Sequence, residues 1–331
     1  MELLRNVSLA EFTTFRIGGK ADYFCVARSV SELQEALAFA RERALPVFIL
    51  GGGTNVLMGD DGFRGLVVRI EICGIEWGGV VRVYAGENWD SFVAETVARG
   101  LWGLENLSGI PGTVGAAPIQ NIGAYGSEVE EVIDWVEVLD RNTGDIQKLS
   151  RDECGFGYRD SIFKKSEGKD FIVTRVAFRL RKDGAPNLKY KDLAEFFSGK
   201  KLPTLSDIRR AVLEIRARKF PDLKTHGTAG SFFKNPIISQ EKFKELKKRF
   251  PELPGFLFKS GVKVSLAWIL DKICGLKGFE KNQTALWKDQ PLVLVNQGGA
   301  SAREISAFAD NIARLVREKT GIEIEREVNI V

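Results

Sequence analysis

Apolar residues recur at helical spacing in several stretches of the chain. Ser29 is followed three residues later by Glu32, the capping pattern that begins many helices, and an apolar stripe comes after it. This pattern predicts a helix that buries Leu33, Ala36, Leu37 and Ala40. Similar patterns predict helices over residues 88–100, 206–219 and 302–319, the last of them ending at Thr320-Gly321.

Short apolar runs between turn residues predict strands over residues 46–50, 65–70, 80–84, 132–139, 146–149 and 171–180. In residues 322–331, apolar residues alternate with Glu323, Glu325 and Glu327, which predicts one more strand. The first 70 residues therefore have the order strand, helix, strand, glycine-rich loop, strand. Basic helices follow Pro203. No internal repeat is found, and the pattern indicates an α+β protein of two or three domains.

Composition narrows the classes of function. The 331 residues are 44% apolar and 28% charged with a net charge of +4, which is typical of a globular protein and gives no reason to expect nucleic-acid binding. No run of 18 apolar residues predicts membrane insertion, and the first residues lack the pattern of a signal peptide. Four cysteines without a CxxC pair argue against a metal site and favour a reduced, cytoplasmic chain. With His226 as the only histidine, catalysis must use carboxylates, hydroxyls, Lys, Arg, Tyr or a bound cofactor.

Two glycine-rich segments are candidates for ligand binding. The first, residues 51–55, follows a predicted buried strand and reads Gly-Gly-Gly-Thr-Asn, without the Lys and Ser/Thr of a phosphate-binding P-loop. Its backbone could hold an anion or simply turn between strands. The second, residues 106–126, contains five glycines and two prolines but no Lys, Arg or Asp. It suits a backbone wrapped around a large flat ligand with a diphosphate, or else a tightly packed connector.

These segments resemble UDP-N-acetylenolpyruvoylglucosamine reductase, also called UDP-N-acetylmuramate dehydrogenase, in its larger, loop-bearing subtype. Seven motifs carry the resemblance, in the order expected for that family, and span nearly the whole chain. They are residues 14–19, 51–57, 109–115, 120–126, 156–164, 230–236 and 325–328.

The resemblance implies a two-part FAD-binding domain of the vanillyl-alcohol-oxidase (PCMH) type followed by an α+β substrate-binding domain. The domains would be residues 1–70 and 71–205 for the two FAD-binding parts and 206–331 for the substrate, with the last strand returning to the active site. FAD would be bound non-covalently, with NADPH as co-substrate. The implied cofactor-binding residues are Gly51, Gly52, Gly53, Thr54, Asn55, Ile110, Pro111, Gly112, Thr113, Gly115, Gln120, Asn121, Gly123 and Ala124.

The family reaction reduces an enolpyruvyl ether on UDP-N-acetylglucosamine to UDP-N-acetylmuramate, for peptidoglycan precursor synthesis. Hydride addition leaves negative charge on the neighbouring carbon and on its carboxylate, so the protein must supply cationic groups and a proton. The hydride comes from a flavin, which explains how a chain with one histidine can perform the chemistry. Cytoplasmic location, a monomeric state and roles in cell-wall biogenesis, cell shape and cell division are further expectations.

Three residues match the family's catalytic groups. Arg159 would hold the substrate carboxylate, Ser231 would donate the proton, and Glu327 matches the catalytic glutamate, with Glu325 as the alternative. The chain reads Arg-Glu-Val-Asn at residues 326–329 where the family usually has Pro-Glu-Val-Arg, which leaves the neutralisation of the substrate carboxylate open. Implied substrate-binding residues are Tyr125, Tyr190, Arg216, Lys219, Asn235 and Lys263, of which Tyr190 would lie on a mobile loop over the diphosphate.

Two other functions fit parts of the pattern. An FAD-dependent oxidase of another small molecule would often attach its flavin through His or Cys, and neither glycine segment contains a histidine. A sugar-nucleotide sensor that has lost its chemistry would not need all three of Arg159, Ser231 and Glu327.

Overall fold

The computed structural model describes residues 1–331 and contains the following elements. The helices are α1 (Val30–Glu42), α2 (Trp89–Ala98), α3 (Lys191–Phe196), α4 (Leu205–Lys219), α5 (Gln240–Arg249), α6 (Leu266–Trp268) and α7 (Ala302–Thr320). The strands are β1 (Leu3–Ser8), β2 (Lys20–Ala27), β3 (Val47–Leu50), β4 (Val56–Leu57), β5 (Phe63–Ile70), β6 (Ile75–Glu76), β7 (Val81–Tyr84), β8 (Gly123–Ala124), β9 (Ser127–Glu128), β10 (Ile133–Asp140), β11 (Ile146–Ser150), β12 (Phe171–Phe178), β13 (Ile237–Ile238), β14 (Gly255–Phe258), β15 (Gly261–Val264), β16 (Glu280–Lys281), β17 (Thr284–Leu286), β18 (Leu294–Asn296) and β19 (Asn329–Ile330).

The chain forms two compact units. Unit 1 consists of Met1–Val7, Ala21–Gly52 and Arg64–Arg216, and unit 2 consists of Ser8–Lys20, Gly53–Phe63 and Ala217–Val331. These units divide the chain differently from the predicted domains 1–70, 71–205 and 206–331, because two short N-terminal segments belong to unit 2. The three-domain division stays a prediction.

Unit 1 is built from two sheets and the helices packed on them. One sheet has the strand order β1-β2-β5-β3, with β3 and β5 parallel, and the other has the antiparallel order β11-β10-β12-β7-β6. The buried face of α1 and the rings of Trp89, Phe92 and Phe178 belong to one continuous core with both sheets. The Phe92 and Phe178 rings lie 5.1 Å apart. This core supports the connections that carry both Gly51 and the second glycine segment.

Unit 2 combines small sheets with a long amphipathic helix. Its sheets have the orders β13-β15-β14 and β16-β17-β18, and β19 pairs in parallel with β4. Helix α7 buries Ile305, Phe308, Ile312 and Val316 in the core of this unit. None of the helices in residues 1–331 is long and apolar enough to span a membrane.

Most elements predicted from the sequence are confirmed. Ser29 caps α1 by accepting the Glu32 N–H at 3.1 Å, and α7 starts at the capping box of Ser301 and Glu304 and ends at Gly321, whose φ is 70°. The strand predicted over residues 322–331 is wrong in its extent, because only Asn329–Ile330 forms a strand. The remainder of that segment makes one isolated bridge, between Phe233 and Arg326.

Candidate active site

The two glycine segments meet within unit 1. Gly51 directly follows β3, and a β-carbon added to Gly51 would lie 2.9 Å from Thr113 Oγ1 and 3.7 Å from Ala116 Cβ. The backbone of the first segment therefore approaches the second as closely as it can, and any side chain at position 51 would fill the space between them. Two segments that meet at Gly51 and Thr113, 62 positions apart in sequence, thus form one backbone surface.

Backbone hydrogen bonds hold the middle of the second segment against the connection between β7 and α2. Trp89 N–H donates to Gly112 O at 3.1 Å, and Val114 N–H donates to Glu87 O at 2.9 Å. A β-carbon on Gly115 would come within 2.5 Å of Ala85 Cβ, so packing alone requires glycine there. Within the segment, the N–H groups that follow Thr113 donate to backbone oxygens, whereas the N–H groups of Gly112 and Thr113 take no part in these bonds. This arrangement suits an anionic group such as a diphosphate.

The first segment continues into unit 2, where Gly53 contacts Phe12 and Thr14. Gly53 has φ 63°, and a β-carbon there would lie 1.9 Å from Phe12 O. Thr14 N–H donates to Gly53 O at 2.9 Å. Asn55 Nδ2 donates to Glu327 O at 3.2 Å, and Asn329 N–H donates to Asn55 O at 3.1 Å. Asn55 therefore links the predicted cofactor segment to the backbone beside the predicted catalytic glutamate.

Arg159 lies in a tight turn next to the second glycine segment. The turn is closed by the Asp160 N–H, which donates to Gly157 O at 3.2 Å, and Arg159 takes φ 53° as its third residue. Arg159 Nη2 donates to Gly123 O at 2.6 Å. The neighbouring Asp160 carboxylate pairs with Lys165 Nζ at 3.6 Å.

Two buried side chains tie the Arg159 turn to the glycine segment. Asn121 Nδ2 donates to Gly157 O at 3.1 Å and to the carboxylates of Glu128 and Glu130 at 3.1 and 3.2 Å, while its Oδ1 accepts the Glu130 N–H. Ser161 Oγ donates to Ile119 O at 2.6 Å. The side chain of Asn121 is thus fully engaged inside the protein, where it positions backbone.

Strained backbone concentrates in this region. Asn121, Tyr125 and Arg159 have φ of 45°, 49° and 53°, and they are three of the seven non-glycine residues with positive φ. Tyr125 and Gly126 are the two central residues of the β8–β9 hairpin and both have positive φ, as a type I′ turn requires. Such strain is common at functional sites and indicates that neighbouring contacts hold these residues in place.

Three predicted substrate-binding residues meet in unit 1. The Tyr125 and Tyr190 rings lie 5.3 Å apart in an edge-to-face arrangement. The Arg216 guanidinium donates a hydrogen bond to the Tyr125 phenol, and the Asp90 carboxylate is close enough to interact electrostatically with Arg216. Burial raises the pKa of Tyr125 to about 12 despite the opposing charge of Arg216. Desolvation lowers the pKa of Arg216, against the influence of Tyr125 and Asp90.

Asp90 is a residue that the sequence analysis missed. Its carboxylate accepts two hydrogen bonds from Arg209 at 2.6 and 2.9 Å and one from the Gly109 N–H at 2.5 Å. Burial alone would raise the pKa of Asp90, but the hydrogen bonds from Arg209 and Gly109 outweigh burial and lower it. Asp90 and Arg209 are 119 residues apart, and no local pattern signals their pairing.

Ser231 and Glu327 both lie in unit 2, on segments joined by backbone hydrogen bonds. Ser231 bridges Val293, and the next residue, Phe232, accepts the Glu327 N–H at 2.8 Å. Lys234 N–H donates to Glu325 O at 3.0 Å, which continues the pairing of the two segments. The residue matched to the proton donor is therefore one position from the residue that hydrogen-bonds the Glu327 backbone.

The two candidate glutamates have different surroundings. The Glu325 carboxylate pairs with Lys234 Nζ at 3.0 Å and its side chain is 76% exposed. Glu327 is half-buried. The exposed ion pair gives Glu325 an ordinary surface role and favours Glu327 as the functional glutamate.

The remaining predicted substrate residues lie at a sheet of unit 2 and at the end of α4. Asn235 Oδ1 accepts the Leu266 N–H at 2.9 Å, so this side chain supports the start of α6. Lys263 lies on β15 opposite Ile237, two residues from Asn235. Lys219 is the last residue of α4. Asn235 therefore lies just before β13, the strand that pairs with the strand of Lys263. No group of three or more His, Cys, Asp or Glu residues in the chain is arranged to hold a metal ion.

The chain is similar to known proteins over its whole length. Residues 21–150 match a family model described as FAD binding domain, and residues 222–331 match the model of the UDP-N-acetylenolpyruvoylglucosamine reductase C-terminal domain. The chain is 41% identical to the UDP-N-acetylenolpyruvoylglucosamine reductase of Pseudomonas aeruginosa over 100% of this chain and 99% of that protein. The identity to the enzyme of the same name from Chromobacterium violaceum is 42%, over 99% of this chain and 98% of that protein.

A solved structure is also similar. The crystal structure of UDP-N-acetylenolpyruvylglucosamine reductase from Thermus caldophilus matches with a TM-score of 0.69 and 27% identity, covering 100% of this chain and 99% of that one.

Proposed function

The chain belongs to the UDP-N-acetylenolpyruvoylglucosamine reductase family, and on that premise we propose that Arg159, Ser231 and Glu327 are its catalytic residues. The protein is an FAD-dependent oxidoreductase that reduces UDP-N-acetylglucosamine enolpyruvate to UDP-N-acetylmuramate with NADPH. The predicted family, fold class, enzyme class and cofactors are confirmed.

One observation carries the residue assignment. The guanidinium of Arg159 reaches the backbone of the second glycine segment, at Gly123 O, from a turn that is held to the same segment by Asn121 and Ser161. A fixed cation beside the backbone that is proposed to bind the flavin is what reduction of a conjugated carboxylate requires, because negative charge grows on that carboxylate in the transition state.

The residues present fit FAD. We assign its diphosphate and flavin to the backbone surface that Gly51, Gly52 and residues 110–124 form within unit 1, supported by the close approach of Gly51 to Thr113 and by the N–H groups of Gly112 and Thr113. We propose Gly53, Thr54 and Asn55 as further cofactor-binding residues. Asn121 and Gly115 act there by shaping the backbone, since the Asn121 amide is fully engaged and Gly115 packs on Ala85. Bound FAD supplies the hydride and is recharged by NADPH.

The chain's own residues supply binding, charge and the proton. Arg159 offers a planar pair of N–H donors to the substrate carboxylate and neutralises the charge that develops there. Ser231 donates its hydroxyl proton to the substrate carbon next to the carboxylate. That carbon is basic enough to take the proton once hydride addition has given it carbanion character. Glu327 orients this proton transfer. Glu327 and the residue after Ser231 are fixed to each other through the backbone, which supports a shared task.

The other predicted residues are assigned to the substrate. Tyr125, Tyr190 and Arg216 form a contiguous cluster, and an arginine with two phenols suits a nucleoside diphosphate. Lys219, Asn235 and Lys263 complete the proposed set of substrate-binding residues. We further propose that the enzyme acts as a cytoplasmic monomer in peptidoglycan precursor synthesis, and through it in cell-wall biogenesis, cell shape and cell division.

Anaerobic half-reactions test this proposal. Purified protein should show the visible spectrum of bound FAD, lose it on addition of NADPH, and regain it on addition of UDP-N-acetylglucosamine enolpyruvate. UDP-N-acetylglucosamine without the enolpyruvyl group is the matched control and should leave the bleached spectrum unchanged. Failure of the enolpyruvyl compound to restore the spectrum would refute the proposed reaction.

A further inference from the structure

The segment of unit 2 that ends at Ser231 runs antiparallel to β18, with one extra residue in it. At its start, Gly227 and Asn296 exchange two backbone hydrogen bonds, at 3.1 and 2.7 Å. At its end, Ser231 bridges Val293. Three residues of the segment lie between these two pairs, against two residues of the opposite chain. The extra residue makes a β-bulge, a feature that often changes the direction of a side chain next to an active site.

The side chain of Thr228 holds this bulge together. Leu294 lies two residues before Asn296, so in a regular antiparallel ladder Leu294 O would accept a backbone N–H of the segment. Instead, Leu294 O accepts the Thr228 hydroxyl at 2.7 Å. The same hydroxyl oxygen accepts the Gly230 N–H at 3.2 Å. Thr228 therefore replaces the missing ladder bond and at the same time fixes the residue that precedes Ser231.

Burial and backbone conformation make the bulge a defined structure. Thr228 is 3% exposed, so water cannot replace its two hydrogen bonds. Gly230 has φ 74°, although a β-carbon there would meet nothing within 4 Å. Glycine is therefore favoured at this position by the left-handed conformation and not by lack of space. The positive φ and the bond to Thr228 together set the direction in which the chain enters Ser231.

The Ser231 side chain depends on this backbone for its direction. It is half-buried, and its hydroxyl makes no hydrogen bond within the protein. Because side chains alternate along a strand, one extra residue places Ser231 on the opposite face from the one that regular pairing would give it. The next residue, Phe232, is fully buried, and its ring lies edge-to-face with Phe15 at 6.2 Å. The bulge on one side and this packing on the other therefore orient Ser231.

We propose that Thr228 is a positioning residue that sets the direction of the Ser231 hydroxyl through the bulge. This inference rests on the proposed function, since it concerns the proton that Ser231 is assigned to donate. A proton donor must lie within hydrogen-bond reach of the atom that it protonates, so its direction affects the rate. Thr228 transfers no proton itself, because its hydroxyl hydrogen is donated to Leu294 O.

Anaerobic stopped-flow measurements of both half-reactions of the holoenzyme test the inference. Thr228→Val keeps the branched shape and removes both hydrogen bonds of the hydroxyl. It should slow flavin reoxidation by the enolpyruvyl substrate by about tenfold to hundredfold, the cost of a misplaced reacting group. Flavin reduction by NADPH should stay within about twofold of the wild-type rate. Thr228→Ser keeps the hydroxyl and should restore most of the reoxidation rate.

Thr320→Val is the matched control in the same unit. Thr320 is 1% exposed, and its hydroxyl donates to Val316 O at 2.6 Å and accepts the Ile322 N–H at 3.1 Å. It therefore makes the same two kinds of hydrogen bond as Thr228, but at the end of α7. Thr320→Val should lower the urea midpoint about as much as Thr228→Val and leave both half-reactions at the wild-type rates. Slowed reoxidation in this control would mean that lost stability explains the effect, and would overturn the inference.

A double-mutant cycle shows whether Thr228 acts through Ser231. In a Ser231→Ala background, Thr228→Val should change the reoxidation rate by less than about twofold, because the hydroxyl that it positions is already gone. Three results would overturn the inference: wild-type reoxidation in Thr228→Val, equal slowing of both half-reactions, or the same fold-change with and without the Ser231 hydroxyl.

A second variant covers the case in which Thr228→Val does not fold. Gly230→Ala strains the same bulge without touching the Thr228 hydroxyl, and it should slow reoxidation while leaving flavin reduction intact. A wild-type reoxidation rate in Gly230→Ala would then overturn the inference. If the enolpyruvyl substrate does not reoxidise the wild-type enzyme at all, the proposed function fails instead.

Discussion

Removal of the Asp90 carboxylate should destabilise the protein much more than removal of a surface carboxylate that makes a short ion pair. Asp90 accepts two hydrogen bonds from Arg209 and one from the Gly109 N–H, all between 2.5 and 2.9 Å. The Arg209 and Asp90 side chains are 16% and 33% exposed. Asp90→Ala therefore leaves a largely buried guanidinium and a backbone N–H without their acceptor.

The size of the effect follows from these exposures. A hydrogen bond to a charged group contributes about 1.5–3 kcal/mol, and the three at Asp90 are not additive because they share one carboxylate. Water reaches part of the site and recovers some of the loss, so the free energy of unfolding should fall by about 2–3 kcal/mol. The matched control is Glu318→Ala, which removes an i,i+4 pair with Arg314 at 2.7 Å. Those side chains are about half exposed, and the expected loss is about 0.5 kcal/mol or less.

The effect should also depend on pH with a definite sign. The pKa of Asp90 is lower in the folded protein than its ordinary value of 3.8. A group whose pKa is depressed on folding stabilises the protein fully above the unfolded pKa, and this contribution is lost as the pH falls through the folded value. The difference between wild type and Asp90→Ala should therefore be constant from about pH 7 to 5 and shrink below 3.8.

Urea denaturation of both variants, followed by circular dichroism at several pH values, provides the measurement. A loss for Asp90→Ala as small as that for Glu318→Ala at pH 7 would refute the reasoning from burial. So would a difference that grows towards acid pH. Because Gly109 directly precedes the residues of the second glycine segment that are proposed to bind FAD, the same variant should also release FAD more readily during gel filtration.

The remaining predictions concern the chemistry. Ser231→Ala should leave flavin reduction by NADPH intact and slow reoxidation by the enolpyruvyl substrate by about 10²–10⁴-fold, whereas equal damage to both half-reactions in stopped-flow traces would make Ser231 structural. Glu327→Gln should slow the same half-reaction with little change in substrate affinity. Glu325→Gln, which alters only an exposed ion pair, should turn over normally, and an inactive Glu325→Gln would shift the assignment by two residues. Acid precipitation should release FAD into the supernatant, and flavin retained in the pellet would contradict non-covalent binding.

Local sequence was sufficient where the physics is local. The start of α1 at Ser29 and the end of α7 at Gly321 depend on hydrogen bonds between residues three or four positions apart, and both are visible in the chain itself. The glycine segments are recognisable for the same reason, because their composition reflects backbone conformations and close approaches. The motif resemblance also identified the family.

Tertiary structure decided the features that depend on partners distant in sequence. Residues 322–331 alternate like a strand, yet only Asn329–Ile330 becomes one, since β4 offers only two residues for pairing and the segment around Phe233 forms a single bridge, with Arg326. The difference between Glu325 and Glu327 arises from Lys234, which is 91 residues away from Glu325. The pairing of Asp90 with Arg209 and of Thr228 with Leu294 likewise has no sequence signal. A side chain's periodicity records which face it occupies, but the charge or amide that it meets there is set by how the chain packs.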